Sequence, residues 1–305
     1  MKKGLAMLLI GCLYAVSAYG QLKVISVEKV PVLATQEWNC PRFSPDGKSI
    51  FTTNATFTGI WKFNLSTSLL QEISHDRSSG LNFVISADGN QVSYRRSRGT
   101  AIRGERIREI VIRDIAAKSS RIISSGKDIS APVLVNAKVV YAKGSALQNL
   151  SKTSAVGSIA LLGIENEKII LIKNGRRAVL DPLKNGHYIW PSLSPDKKRL
   201  VAYDVDRGTF ICDVDGKNIV KLGRLDSPSW TRDGKWIVYM DDKDDGQTIY
   251  ASDIFAVSIE GKNKVQLTTT PDIIEMNPSC SMTEDKIVVN SISGDVYVIT
   301  YEVMQ

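Results

Sequence analysis

A short turn motif recurs along the chain and limits its fold more than any other feature. In each copy an apolar residue precedes a turn of the type Ser/Thr-x-Asp-Gly, and an apolar strand follows the turn. The four clearest copies carry Asp46, Asp88, Asp196 and Asp233, and a weaker copy spans residues 280–287. Proline and glycine favour such turns, and the aspartate can hydrogen-bond the backbone beyond it. Each copy therefore predicts the turn of a β-hairpin.

A second hairpin follows the first in the clearest repeats. Residues 209–222 and residues 252–267 each consist of a strand, a glycine-containing turn and another strand. Two successive hairpins make one four-stranded antiparallel sheet, and repeats spaced about 40–50 residues apart are typical of the blades of a β-propeller. The 305-residue chain is long enough for one large all-β domain of this kind.

The number of blades follows from the spacing of the motif. The interval between Asp88 and Asp196 is too long for one blade, and residues 132–141 fill it as a degenerate copy. We therefore predict a six-bladed β-propeller of four-stranded antiparallel blades. Its third blade, at about residues 131–187, is degenerate, with outer strands at 158–162 or 168–173 and at 178–180.

The two ends of the chain are predicted to meet in one blade. The last repeat ends after residues 295–301, its third strand, and residues 24–33 form a spare strand before the first repeat. A strand in that position completes the last sheet and leaves no open edge in the ring. We thus expect a single propeller domain at residues 21–305, closed by its N-terminal strand.

The repeats resemble those of TolB-type propellers. The resemblance rests on Ser-Pro-Asp-Gly-Lys at residues 44–48, Ser-Asp-Ile-Phe-Ala-Val at 252–257 and Gln-Leu-Thr at 266–268, and it extends over residues 24–301. It implies a stand-alone propeller protein of the bacterial envelope. TolB-type proteins also carry an N-terminal α/β domain, for which we expect no room here, so the resemblance does not imply their particular role.

The first twenty residues have the features of a secretory signal peptide. Two lysines precede an apolar run at residues 5–16, and small residues at 18–20 fit a cleavage site. We expect a periplasmic or otherwise exported protein with no further transmembrane helix. The alternative is a lipid anchor on Cys12, because Leu-Ile-Gly-Cys at 9–12 resembles a lipobox, although the apolar run continues beyond it.

The net charge of the chain bears on the kind of partner it binds. Loss of residues 1–20 removes two lysines and no acidic residue, which lowers the net charge from +7 to +5. This excess of positive charge favours an acidic partner without indicating nucleic acid, and we expect a monomer that binds an envelope protein or a glycan.

Export of the protein permits disulfide bonds. Cys40 and Cys280 lie near the start of inner strands in adjacent blades, and whether they bond to each other stays open.

Three segments are longer than ordinary hairpin loops and are therefore candidates for function: residues 95–109, 144–157 and 241–251. The first holds six arginines, Arg95, Arg96, Arg98, Arg103, Arg106 and Arg108. These suit an anionic partner such as an acidic glycan, a lipid headgroup or an acidic protein. The alternative is a solvated loop with local ion pairs.

The third segment is acidic. Asp241, Asp242, Asp244 and Asp245 are weak candidates for Ca²⁺ ligands, because hard cations bind several carboxylates. Against this, Lys243 replaces an expected oxygen ligand and the twelfth position of the loop is not glutamate. The alternative is a solvated loop, and we expect no other cofactor. In a six-membered ring this segment would face the arginine-rich segment across the channel.

Three aromatic residues and a histidine are the remaining candidates for ligand contacts. Trp38, Tyr188 and Trp190 enter the inner strands, where they could stack on a sugar or a peptide. Their alternative role is to pack between blades. His187, beside Tyr188, is the best single candidate for a polar contact at the channel mouth.

The sequence favours a binding protein over an enzyme. Propeller lyases with this type of repeat hold a metal through several histidines, whereas this chain has only His75 and His187. No Gly-x-Ser-x-Gly motif marks a hydrolase nucleophile. We predict a non-catalytic exported binding or scaffold module that contacts a protein or a glycan through its loop face. The alternative is a glycan lyase or hydrolase with its carboxylates in the channel.

Overall fold

A computed structural model of the chain describes residues 21–31, 37–99, 105–149 and 157–304. In these residues, 26 β-strands form seven antiparallel sheets, which we number as blades in chain order. Strand β1 (Gln21–Lys29) belongs to the seventh blade. No helix in the described ranges is long and apolar enough to cross a membrane.

Five of the blades have four strands each. The first contains β2 (Trp38–Phe43), β3 (Ser49–Asn54), β4 (Ile60–Asn64) and β5 (Leu70–Ser74). The second contains β6 (Phe83–Ile85), β7 (Gln91–Gly99), β8 (Arg106–Asp114) and β9 (Ser119–Gly126).

The third and fourth blades have three described strands each. The third contains β10 (Val133–Val135), β11 (Lys138–Lys143) and β12 (Ala146–Gln148). The fourth contains β13 (Ile159–Glu165), β14 (Lys168–Lys173) and β15 (Arg176–Leu180).

The last three blades are again four-stranded. The fifth contains β16 (Tyr188–Leu193), β17 (Arg199–Asp204), β18 (Gly208–Asp213) and β19 (Val220–Gly223). The sixth contains β20 (Asp226–Trp230), β21 (Trp236–Asp244), β22 (Ile249–Ser258) and β23 (Lys264–Gln266). The seventh contains β24 (Glu275–Cys280), β25 (Lys286–Ser291), β26 (Val296–Met304) and β1.

The prediction of six blades is wrong, because residues 131–187 form two blades rather than one. Asp46 and Asp88 lie 42 positions apart, whereas Asp88 and Asp196 lie 108 apart, which leaves room for two intervening blades. Neither of these blades has the Ser/Thr-x-Asp-Gly turn after its first strand. The motif therefore marks only the blades that retain it.

The aspartate of each repeat stabilises its turn through side-chain hydrogen bonds. Asp46 Oδ1 accepts hydrogen bonds from Ser44 Oγ at 2.5 Å and from the Lys48 amide at 3.1 Å. Equivalent contacts hold the turns at Asp88, Asp196 and Asp233. This is the local chemistry that the sequence motif predicts.

Seven apolar clusters hold the ring together, one between each pair of adjacent blades. In six of the seven blades the second strand contributes to two of them, since its side chains alternate between faces. On β21, Trp236 and Val238 face the seventh blade, whereas Ile237 and Tyr239 face the fifth. Each of these four side chains is at most 1% exposed. Every blade is thus packed against both of its neighbours.

Strand β1 closes the ring as the sequence predicts. It pairs antiparallel with β26, from Gln21 opposite Met304 to Lys29 opposite Tyr297. Leu22 is 2% exposed and packs in the cluster between the sixth and seventh blades. Residues 32 and 33, at the end of the predicted strand, lie outside the described residues.

Two of the three predicted long loops are instead strands that extend a hairpin. Strands β7 and β8 pair from Gln91 and Asp114 outward to Gly99 and Arg106, and β21 pairs with β22 as far as Asp244. The residues near the outer ends of these strands are exposed, for example Arg106 and Arg108 on β8 and Asp244 on β21, so their charges are solvated. The tip of the first hairpin, residues 100–104 with Arg103, lies outside the described residues, as do residues 150–156.

Cys40 and Cys280 do not form the disulfide that the sequence left undecided, since Cys40, Cys212 and Cys280 are all free. Cys280 packs in the cluster between the sixth and seventh blades, so its side chain points away from the first blade, which contains Cys40. Cys12 and the rest of residues 1–20 lie outside the described residues, and export or lipid anchoring remains a prediction.

Closure by β1 predicts a sharp contrast between two substitutions on that strand. Leu22→Ala is expected to lower the free energy of unfolding by about 2–5 kcal/mol, because it leaves a cavity in a closed core. Ile25→Ala, at a site 55% exposed on the same strand, should change it by no more than about 0.5 kcal/mol. Urea denaturation measures both. Equal changes in the free energy of unfolding would contradict the claim that the buried face of β1 stabilises the closed ring.

Candidate functional site

The inner strands of four adjacent blades share a bulge next to a proline. The pairing of β2, β16, β20 and β24 with the next strand shifts register at this bulge. The residue before proline there has a left-handed backbone, with φ of 48° at Cys40, 49° at Trp190, 49° at Ser227 and 52° at Asn277. A pre-proline residue ordinarily prefers an extended backbone. Such strain costs about 1–3 kcal/mol per site and tends to occur at functional sites.

These bulges build one open cavity of about 350 Å³, which we call the channel mouth. All of its lining residues come from the bulged strands of the fifth, sixth, seventh and first blades. They are Cys40, Pro41, Arg42, Trp190, Pro191, Ser192, Ser227, Pro228, Asn277, Pro278 and Ser279. The repeated bulge therefore supplies the whole described lining of the cavity.

Trp190 provides the aromatic surface of the channel mouth. Its side chain is 42% exposed, whereas the other four tryptophans of the chain are at most 6% exposed. The ring packs edge-on against Tyr203, with 5.5 Å between centroids. This contact orients the indole, and 42% of the side chain remains exposed.

Arg42 brings a positive charge to the cavity. Its guanidinium lies 4.1 Å from the centre of the Phe83 ring and donates a hydrogen bond to the Phe83 carbonyl oxygen at 3.1 Å. Burial lowers the pKa of Arg42 from its ordinary value. The stacked, hydrogen-bonded guanidinium is thus held rigidly at the wall of the channel mouth.

Polar side chains link the first and seventh blades at the same place. The Asn277 amide nitrogen donates to Asn39 Oδ1 at 3.0 Å and to Asn290 Oδ1 at 3.1 Å. Both amide hydrogens are then used, and the Asn277 carbonyl oxygen remains to accept a bond from a ligand. Burial raises the pKa of the Cys40 thiol, so this cysteine is not an activated nucleophile.

Only one of the predicted aromatic contacts reaches the channel mouth. Trp38 is 2% exposed and packs edge-on against Trp61, while Tyr188 is 1% exposed and donates its hydroxyl to Asp181 Oδ1 at 2.7 Å. Both take the alternative role of packing between blades. His187 lies outside the cavity, 3.5 Å from Glu167 and 3.6 Å from Asp206.

Sequence reasoning missed the other residues of the channel mouth, although a signal for them exists. Cys40, Ser227 and Asn277 each stand directly before a proline, as Trp190 does, and three residues before the end of an inner strand. Four x-Pro pairs at equivalent positions of the repeat could have marked the wall of the cavity. The left-handed backbone of these residues was not predictable, because proline disfavours it.

The arginines of the β7–β8 hairpin do not form one basic patch. Arg96 donates to Glu109 at 2.8 Å and to Asp76 at 3.1 Å, and Arg98 lies 3.3 Å from Glu109. Tyr94 also donates to Asp76, at 2.7 Å. Glu109 is 3% exposed. The charges of Arg96 and Arg98 are therefore compensated within the protein by Glu109 and Asp76.

The acidic hairpin uses its carboxylates locally. Asp244 Oδ1 accepts the Gly246 amide at 2.7 Å, and Asp245 Oδ1 accepts the amides of Gln247 and Thr248. Asp241 and Asp242 lie on successive positions of β21 and so point to opposite faces. Within the described ranges no three acidic, histidine or cysteine side chains converge on one point where a metal ion would bind.

In the seven-membered ring the basic and acidic hairpins belong to the second and sixth blades. Two blades separate them on one side and three on the other, so they do not lie diametrically opposite each other. The expectation of two loops facing across a six-membered ring is wrong for this reason.

One carboxyl pair stands beside the channel mouth. Asp226 precedes the bulge residue Ser227, and Asp242 on the paired strand β21 is one of the groups that shift its pKa. Burial, and next to it the Asp242 carboxyl group, raise the pKa of Asp226 above its ordinary value. Neither residue lines the cavity itself.

A buried glutamate lies at the start of the seventh blade. Glu275 is 1% exposed and accepts hydrogen bonds from Thr268 at 2.8 Å and Thr270 at 2.7 Å. It stands three residues before a proline, where the first and fifth blades place the large aromatics Trp38 and Tyr188. Burial raises the pKa of Glu275 to about 7.

Comparison with known proteins bears on the fold alone. The sequence matches no protein-family model and no curated protein. The β-propeller domain of Cps50 (Swd1) from Myceliophteria thermophila is similar in structure, with a TM-score of 0.57 and 10% identity, over 90% of this chain and 99% of that chain.

TolB from Acinetobacter baumannii is a second structural neighbour. The TM-score is 0.52 with 17% identity, over 77% of this chain and 55% of that chain, so this chain spans about half of that TolB. An oligogalacturonate lyase from Vibrio parahaemolyticus reaches a TM-score of 0.47 with 14% identity, over 87% of this chain and 78% of that chain, too low to bear on function. The fold is a TolB-like β-propeller.

The raised pKa of Glu275 predicts a pH-dependent stability. The folded state keeps a proton on Glu275 up to about pH 7, whereas the unfolded chain loses it near the ordinary pKa of 4.5. Stability from this group is therefore complete below about pH 4.5 and falls as the pH rises through 7. At 1.36 kcal/mol per pKa unit, the loss amounts to about 3 kcal/mol.

Glu275→Gln removes this dependence. Relative to this variant, the wild type should lose stability between pH 5 and pH 8, as measured by urea denaturation at several pH values. Glu302→Gln, at an exposed carboxylate on β26, is the control and should run parallel to the wild type. If the Glu275→Gln curve also runs parallel to the wild type, Glu275 is ionised throughout.

Proposed function

We propose that this protein is an exported, non-catalytic binding module that holds a segment of an envelope protein or a glycan at its channel mouth. One observation carries the proposal: four adjacent inner strands repeat a strained bulge, and those bulges together line one cavity. Packing of the blades does not require this strain, since the second blade has an inner strand without it. Strain that recurs at one cavity fits a binding role.

The chemistry of the channel mouth suits an extended polar ligand with apolar faces. Trp190 offers a stacking surface, Arg42 a fixed charge, and Asn277 with the neighbouring serines offers hydrogen bonds. Sugar rings and peptide segments both combine apolar faces with hydrogen-bonding edges. The closed ring keeps this arrangement rigid before binding, which lowers the entropic cost of holding a ligand.

Two further observations support an envelope location. The first twenty residues read as a signal peptide, and the fold is similar to that of TolB. The four-residue lipobox-like segment ending at Cys12 leaves open whether the exported protein carries a lipid. Either form presents the same propeller to the envelope.

A photo-crosslinking amino acid at position 190 tests the proposal in cells. It should trap a partner protein or a glycan, because the side chain at this position projects into the channel mouth. Tyr250, which is 61% exposed on the sixth blade, is the matched control position and should trap nothing specific. Identical adducts from both positions, or none from position 190, would refute the proposed site.

Trp190→Ala should then weaken binding of the trapped partner. Central aromatic contacts in interfaces are commonly worth at least about 2 kcal/mol, which corresponds to roughly a 30-fold increase in Kd. Tyr250→Ala should leave the Kd within about twofold, since rim residues contribute little. Calorimetric titration of the purified partner into each variant measures both Kd values.

The carboxyl pair favours one second candidate, a glycan hydrolase or lyase. Asp226 with its raised pKa could act as a general acid beside the channel mouth, with Asp242 as its partner. If so, the wild type should release reducing or unsaturated sugar ends from envelope polysaccharides. Asp226→Asn should slow that release by about 100-fold or more. The absence of any release by the wild type would exclude this candidate.

A further inference from the structure

The β7–β8 hairpin sorts its arginines onto two faces. Strand residues alternate in direction, and Arg96 pairs with Glu109 while Ser97 pairs with Arg108. Arg96 and Arg98 therefore share one face with Glu109. Arg95 and Arg108 share the opposite face. The two faces of this single hairpin meet different surroundings.

The first of these faces is neutralised. Arg96 and Arg98 contact Glu109, and Arg96 also contacts Asp76 in the preceding connection. Two arginines thus share two carboxylates, one of which is buried. This cluster explains how charged residues are tolerated at the base of the hairpin, and it leaves no excess positive charge for a partner.

Arg95 and Arg108 on the second face have no such compensation. Both line a cavity of about 150 Å³ between the second, third and fourth blades. Among the described residues, neither arginine forms an ion pair, and Arg95 makes one hydrogen bond, from Nη1 to the Ile129 carbonyl oxygen at 2.9 Å. At about 30 Å³ per water molecule, the cavity has room for about five waters or one small ligand.

The acidic residues at this cavity do not cancel the charge of the arginines. Glu165 is engaged by Arg177 of the fourth blade. Asp128 is exposed and forms no ion pair with any described residue. Burial of Arg95 and the nearby charge of Arg108 both lower the pKa of Arg95. Arg95 and the exposed Arg108 thus line one small cavity together with the exposed Asp128 and with Glu165, which is already paired with Arg177.

We propose that this cavity binds a small oxyanion, a carboxylate or phosphate group, between Arg95 and Arg108. An anion there offsets the desolvation of Arg95 and the repulsion between the two arginines. The planar guanidinium is suited to both kinds of group, because its parallel N–H donors match two oxygens. The flanking walls, formed by Ser130, Gly144 and Gly163, leave space for the anion.

This cavity is separate from the channel mouth. The two cavities share no lining residue. The oxyanion cavity lies on the second, third and fourth blades, whereas the channel mouth lies on the fifth, sixth, seventh and first. The oxyanion site therefore stands or fails independently of the proposed partner binding, and substitutions at the hairpin should leave binding at Trp190 unchanged.

The test compares three arginine variants of the mature protein. Calorimetric titration is carried out with inorganic phosphate and with succinate at constant ionic strength set by sodium chloride. Saturable binding of one or both to the wild type is expected, and the two titrations show whether phosphate or carboxylate is preferred. Arg108→Gln should weaken binding at least tenfold, because it removes one of the two charges at the cavity.

Arg98→Gln is the matched control, since it removes the same charge from the other face of the same hairpin. It should bind as the wild type does. Arg108→Lys keeps the charge and loses the forked donors, so it should bind with intermediate strength. The proposal is overturned if neither anion binds above the chloride background, or if Arg98→Gln weakens binding as much as Arg108→Gln.

Discussion

The apolar packing between adjacent blades is the interaction on which the rest of the structure depends. In every blade but the second, the second strand contributes alternate side chains to two clusters, as Ile237 and Val238 do on β21. A sheet buried in this way needs a neighbour on either side, so an open row of blades would leave two apolar faces in water. Closure through β1 and β26 satisfies this need, because it completes the seventh blade between the sixth and the first.

The packed ring also stabilises backbone positions that are locally strained. The left-handed residues before proline in four inner strands lie where packing on both sides holds the backbone in place. Their effect is to turn Trp190 and Asn277 toward one cavity, which no regular strand would do at those positions. The binding role we propose thus draws on stability supplied elsewhere, by the clusters between the blades.

The strand geometry also determines where the charged side chains of the two long hairpins lie. A dense run of arginines in the sequence becomes two faces of one hairpin, and one face is neutralised by Glu109 and Asp76. Aspartates that suggest a metal loop instead accept the backbone amides of their own turn. In both cases, residue type alone predicted an interaction surface; strand alternation divided the arginines between two faces, and turn hydrogen bonds engaged Asp244 and Asp245.

The sequence by itself determined the features that depend on neighbouring residues: the Asp-containing turns, the strands that follow them, and the spare N-terminal strand. These follow from local hydrogen bonding and from alternation of apolar residues, which leave a direct trace in the sequence. It did not determine the number of blades, because two blades have lost the turn motif and are held by packing alone. Tertiary structure also decided which aromatic is exposed: Trp38, three residues before its proline, is buried between blades, whereas Trp190, directly before its proline, lies at a bulge and is 42% exposed. Burial, ion pairing and the channel mouth arise from contacts between distant repeats, and no single repeat contains them.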